Sequence, residues 1–189
     1  MKTLSKWLYR VSSGWVALAG LIIFLAFIGL VLPDQAAQAE VYSGDLGSPD
    51  SSIFYTADQL AAFAEAYGPQ GREAYIQARW TFDVAWPLVY TLFLTTSISW
   101  LLKKSGNHTS RLALINLLPV FGMALDFMEN TAASIVMARF PRNTPILAHL
   151  SGVFTAFKWI LIALGFAALI LAIFLMLGKL IKKPKQSSE

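Results

Sequence analysis

TPILAHLSGVFTAFKWILIALGFAALILAIFLMLGK, residues 144–179, is the stretch that decides the fold. Before its closing Lys179, the only ionisable side chains in it are His149 and Lys158. A helix needs about 20 predominantly apolar residues to cross the hydrocarbon of a bilayer, and this run is far longer. Thr144 supplies an N-cap, and Pro145 suits the first helical position, where its missing amide does no harm. A helix from there to Lys183 would measure roughly 60 Å, against a hydrocarbon thickness of about 30 Å. It must project from the membrane, tilt, or bend, with Gly152 and Gly165 as candidate bends.

Three more apolar runs lie upstream. Together they predict an all-α integral membrane protein: a single domain over 1–189, built as a four-transmembrane-helix bundle. The spans cover about 14–33, 82–102, 111–138 and 146–178. The external loop 34–81 is expected to fold as a helical extracytoplasmic cap. Composition agrees: 56% of the 189 residues are hydrophobic and 14% charged, where a soluble domain carries about 25% charged residues. No cysteine is present, which excludes disulfides, thiol nucleophiles and thiolate metal sites. With only His108 and His149 besides, no metal site is expected, and no cofactor motif appears.

The basic residues set the topology. Lys2, Lys6 and Arg10 precede span one; Lys103, Lys104 and Arg111 flank the connection between spans two and three; Lys179, Lys182, Lys183 and Lys185 follow span four. With four spans all three groups fall on one side, so both termini are expected in the cytoplasm and the protein in the cell membrane. The opposite side holds Arg72, Arg79, Arg139 and Arg142 against Asp34, Glu40, Asp45, Asp50, Asp58, Glu65 and Glu73. The pI near 9.4 thus reflects topology rather than nucleic-acid binding. Ala37-Gln38-Ala39 has the form of a signal-peptidase site. The preceding apolar run is longer than the usual 7–15 residues or so, and a retained anchor is the reading adopted. Gly14, Gly20 and Gly29 in span one read as ordinary membrane-helix composition.

In the loop, residues 33–52 are rich in Asp, Ser, Gly and Pro and are expected to be irregular. Thr56 and Gln59 form a capping box that starts a helix; Leu60, Phe63, Ala64 and Tyr67 share its apolar face, and Gly68-Pro69 ends it. A second helix is expected from about Gln70, running into span two without a break.

Four ionisable groups remain inside the spans: Asp83, Asp126, Glu129 and Lys158. Measured from the basic boundary, Asp83 lies about 30 Å deep, Asp126 about 22 Å, Glu129 about 27 Å and Lys158 about 31 Å. Three helices therefore bring charge to the same outer level. On each, a polar face forms at helical spacing: Asp83, Trp86, Pro87, Tyr90 and Ser97; Asp126, Glu129 and Asn130; Ser151, Thr155 and Lys158. Pro87 frees the carbonyl of Asp83 to accept a hydrogen bond. Pro119 would free Ile115 in the same way, with a kink as its reading. Arg79 is spaced to pair with Asp83. One carboxyl is then left over, a candidate general acid or proton carrier. The candidate ligand-binding set is Asp83, Tyr90, Asp126, Glu129, Asn130, Thr155 and Lys158. The catalytic candidates are Asp126, Glu129, Lys158 and Asp83.

The outline of four spans, internal termini and a long first external loop resembles claudin-like proteins in topology. The tryptophan-rich, two-cysteine signature of that loop is missing, so no residue role carries over. The intramembrane acids are similar in kind to those of the sterol-isomerase group, again with no motif matched.

Three function classes follow. In the first, the cluster holds the bundle together while the external cap binds a protein partner. The second is a membrane-embedded enzyme or receptor for a lipid-like or amine-bearing ligand. The third is a proton- or cation-coupled transporter, which span one, without a polar residue, disfavours. Membrane lipid is the expected surrounding partner, no nucleic acid is expected, and neither enzymatic activity nor oligomeric state follows from the residues.

Overall fold

The computed structural model describes residues 2–43, 47–49, 52–109 and 111–181, with no side-chain account of Ser43 or Arg111. Asp45, Asp50, Lys182, Lys183 and Lys185 lie outside the described residues. The described chain is helical, without strands, and four of its helical runs are long and apolar enough to cross a membrane. In order it forms α1 (Lys2–Val11), α2 (Gly14–Ala26), a π turn (Phe27–Val31), α3 (Leu32–Ser43), α4 (Ala57–Ala66), α5 (Gly68–Arg79), α6 (Phe82–Ser105), a 3-10 segment (Arg111–Leu117), α7 (Leu118–Arg139) and α8 (Pro145–Ile181).

The helix that begins at α2 does not stop at Pro33. It continues through α3, so the expectation of an irregular segment from residue 33 is corrected over Leu32–Ser43. The reason lies in the π turn. Leu32 N–H reaches back five residues to the Phe27 carbonyl, a widened turn placed just before a proline that lacks its own amide. The Ala36, Ala37 and Ala39 that follow are strong helix formers. Ala37-Gln38-Ala39 accordingly lies within a helix.

The second break is of the opposite kind. α5 and α6 are separate helices, not one continuous rod, because Trp80 and Thr81 leave helical geometry. The Thr81 hydroxyl turns back to donate to the Gln77 carbonyl at 2.8 Å, a local bond that competes with the helix ladder. Pro119 also differs from the expected kink: it sits in the first turn of α7, after the 3-10 segment, where proline is tolerated. The capping box of Thr56 and Gln59 forms with both bonds present, and Gly68 makes the turn after α4 at φ +61°.

Two apolar cores result. The larger joins Phe24 of α2, Tyr90 to Leu102 of α6 and Ile162 to Ala172 of α8. The smaller, at the far end from α1, joins Tyr55, Leu60, Phe63 and Tyr67 to Ala133, Val136 and Met137 of α7 and Ala148 of α8. α2 has no polar group with which to grip the bundle and docks instead through an aromatic ladder. Phe24 stacks on Phe93 at 4.8 Å and on Trp86 at 5.8 Å, and Phe27 stacks on Trp86 at 5.6 Å and on Phe82 at 5.4 Å. Gly20 makes that approach possible, since a Cβ there would lie 3.2 Å from the Phe93 Cα. Gly20 is therefore a packing requirement rather than incidental composition.

Gly20→Val is expected to destabilise the chain in detergent by about 1–3 kcal/mol, the usual cost of overpacking. Gly29→Ala, whose added Cβ meets nothing within 4 Å, should leave the thermal midpoint unchanged or raise it. Equal midpoints for the two variants would refute the close docking of α2.

Candidate functional site

α6, α7 and α8 each present a polar face to the others at one level, between the two cores. Lys158 of α8 stands at the centre. Its ammonium lies 2.5 Å from Glu129 Oε2 and 3.4 Å from Asp126 Oδ1, both on α7. The first is a close ion pair and the second a looser one. Tyr90 of α6 donates to Asp126 Oδ2 at 3.3 Å. Asn130, one residue beyond Glu129, donates from Nδ2 to the Asp83 carbonyl at 3.3 Å. That acceptor is the one Pro87 frees. Asp83 pairs with Arg79 across the α5–α6 break, and the Arg79 guanidinium also stacks over the Tyr75 ring at 4.7 Å.

The structure thus brings Lys158 onto Glu129 and Asp126 and Tyr90 onto Asp126, while Asp83 meets α7 separately, where Asn130 bonds its backbone carbonyl. Thr155 stands apart: its hydroxyl donates to the Ser151 carbonyl of its own helix at 2.9 Å. Every one of these side chains is buried. The 3-10 segment improves their alignment in depth. It rises about 2.0 Å per residue instead of 1.5 Å, which lengthens the path from Arg111 to Asp126 and Glu129 to about 26 Å and 30 Å, close to those of Asp83 and Lys158.

One member is not visible from helical spacing. Tyr55, in the irregular stretch before α4, is only 1% exposed. Its hydroxyl shares a 2.6 Å hydrogen bond with Ser151 Oγ and donates to Glu129 Oε1 at 3.4 Å. Two features hold this stretch against α8. Trp159 Nε1 donates to the Ser52 carbonyl at 3.2 Å, and Gly152 leaves the Tyr55 carbonyl the space a Cβ would take. Tyr55 follows Ile53 and Phe54 in a stretch with no helical period, and only Gly152 and Ser151, adjacent small residues on α8, hint at a visitor.

Among the described residues the buried charged side chains are Arg79, Lys158, Asp83, Asp126 and Glu129, three acids against two bases. Arg79 answers Asp83 and Lys158 answers Glu129, so Asp126 is the acid in excess. Among the described residues no three His, Asp or Glu side chains converge as metal ligands, and Lys158 occupies the place a cation would take between the two α7 carboxylates. A cavity of about 600 Å³ opens beside the network between α3, α5 and the start of α6. Gln35, Gln38, Gln77, Tyr42, Arg79 and Asp83 are among its walls. It touches the Arg79–Asp83 pair, while Asp126, Glu129 and Lys158 are not among its lining residues.

Tyr55→Phe should cost about 1–3 kcal/mol, because the Ser151 hydroxyl loses its buried partner. Gly152→Ala should cost more, since its methyl displaces the Tyr55 backbone itself. Thermal unfolding of both variants checks the order, and a milder Gly152→Ala would count against the docked position of residues 52–56.

Comparison with known proteins returned no matching family model, no similar curated protein and no similar solved structure.

Proposed function

We propose that this chain is a multi-pass protein of the cell membrane in which the buried charge network locks the helices together and the far-end helices bind a protein partner. The spans are α2 with its π turn, α6, the 3-10 segment with α7, and α8. The far end, α3 to α5, is extracytoplasmic, and both termini are cytoplasmic. Insertion is supported by the apolar exterior: Trp15, Ile22, Leu88, Phe157, Leu164 and Phe174 are all exposed, a belt that would drive association in water. Orientation is supported by the meeting of basic groups at one end. Lys103 Nζ donates to the Tyr9 and Ser12 carbonyls at 3.0 and 2.8 Å, and Lys179 Nζ to the Lys104 carbonyl at 2.7 Å, with Lys2, Lys6 and Arg10 on the adjoining α1.

The observation that carries the locking role is the enclosure of Lys158. Its two carboxylate partners come from a neighbouring helix, both with side chains no more than 5% exposed. A group so enclosed is well placed to fix helix register and poorly placed to meet a substrate. Glu129→Gln, which strips Lys158 of its close partner, should destabilise the chain by about 3–5 kcal/mol. Unchanged thermal stability of that variant in detergent would remove the lock.

A second reading, a receptor for a lipid-like ligand, is favoured by the excess of Asp126 and by the cavity, whose volume falls in the range of about 300–1,000 Å³ typical of small-molecule sites. Asp126→Asn separates the readings. A loss of stability assigns Asp126 to the lock, whereas a gain indicates a charge kept for function at the expense of stability. For the receptor, an amphiphile co-purifying with the chain should be lost when Ala74→Trp fills the cavity, as native mass spectrometry would register.

A further inference from the structure

α1 carries three distinct faces. One is docked: Ser5 Oγ donates to Asn116 Oδ1 at 2.9 Å and to the Ala113 carbonyl at 3.1 Å, and Tyr9 donates to the same carbonyl at 2.9 Å. Asn116 passes the contact to Ser99 of α6 at 3.0 Å, and Lys103 holds the α1 C-terminal carbonyls. These bonds fix α1 at the level of the basic boundary of α6. The second face is apolar and open. Leu4, Trp7 and Val11, three and four residues apart and hence on one stripe, are 44%, 51% and 40% exposed. The third is basic: Lys2, Lys6 and Arg10 recur every four residues, all exposed, and α1 contains no acid.

We infer that α1 is an in-plane anchor whose Leu4, Trp7 and Val11 enter the lipid boundary while Lys2, Lys6 and Arg10 bind anionic phospholipid headgroups. A short helix with an apolar stripe beside a basic one, Trp included, is the form that lies in a charged interface. The occupant is argued from charge: an unopposed row of three cations favours an anionic lipid surface over a zwitterionic one or a neutral protein face. Lys103, Lys104 and Lys179 gather at the same end, so the attraction is reinforced rather than cancelled. Trp15, at the start of α2, is a further exposed aromatic close to α1 in the chain. The inference rests on the membrane reading above and adds a lipid preference to it.

The absence of native cysteine permits a clean test on the full chain. Single spin labels are placed through Leu4→Cys and, as a control, Ile170→Cys, which is exposed on α8. Each labelled chain is reconstituted in vesicles of phosphatidylcholine alone or with phosphatidylglycerol added. Collisions with oxygen, which partitions into lipid, are compared with collisions with a water-soluble nickel complex. At position 4 the oxygen-to-nickel ratio should rise several-fold when phosphatidylglycerol is added. Replacing Lys2, Lys6 and Arg10 together by Gln, exposed positions where the fold should tolerate the change, should abolish that rise. A ratio at position 4 that ignores phosphatidylglycerol, while the label at 170 stays oxygen-accessible, overturns the anchor alone. A nickel-accessible label at 170 overturns the membrane reading and the anchor with it.

Discussion

The packing of α7 against α8 is arranged around the ammonium of Lys158. In the hydrocarbon of the proposed setting a lone charge would cost at least about 2.5–3.5 kcal/mol on insertion scales, so Lys158 would have to face protein and find anions there. Glu129 and Asp126 supply them from α7, one turn apart. That single demand sets the rotation of α8 and the rotation of α7 and limits how far one can slide past the other. A buried ion pair of this kind adds little net stability compared with well-packed apolar side chains, yet breaking it is costly. In the proposed locking role its value would lie in selecting one register among many that an apolar surface alone would tolerate.

The layer is also where the two cores communicate. Tyr90 belongs to the larger core and bonds Asp126; Tyr55 belongs to the smaller one and bonds Ser151 and Glu129. Each tyrosine buries its ring on one side and offers its hydroxyl to the polar level, the combination an aromatic alcohol serves best. The Arg79–Asp83 pair does a related job at the α5–α6 junction. It bridges the break between α6 and α5, whose Tyr75 is already held in the smaller core, and Asn130 links that junction to α7 through the Asp83 carbonyl.

The four long helices and the meeting of Asp126, Glu129 and Lys158 were legible in the sequence because the helix is a ruler: a constant rise and a constant turn convert residue numbers into distance along the axis and direction. The Asp83 carbonyl was legible for a similar reason, since Pro87 must release it. What escaped was set by backbone that does not repeat. Tyr55 enters from a stretch with no period, so nothing in its spacing points inward. The π turn before Pro33 and the hydroxyl of Thr81 each reverse a local expectation, one continuing a helix that proline should end, the other ending a helix that looked continuous. Gly20 looked like filler because its reason is the Phe93 backbone, 73 positions away in the chain.

The connection between α7 and α8 is short, residues 140–144. In a bilayer this has a consequence for biogenesis. If each helix partitioned separately, α7 would carry two bare carboxylates into lipid and α8 a bare ammonium. Linked so closely, they would on that reading enter as one hairpin, with Lys158 already neutralised by Glu129. If the chain inserts as proposed, the short connection at residues 140–144 would let a charged pair of segments enter the membrane as a unit.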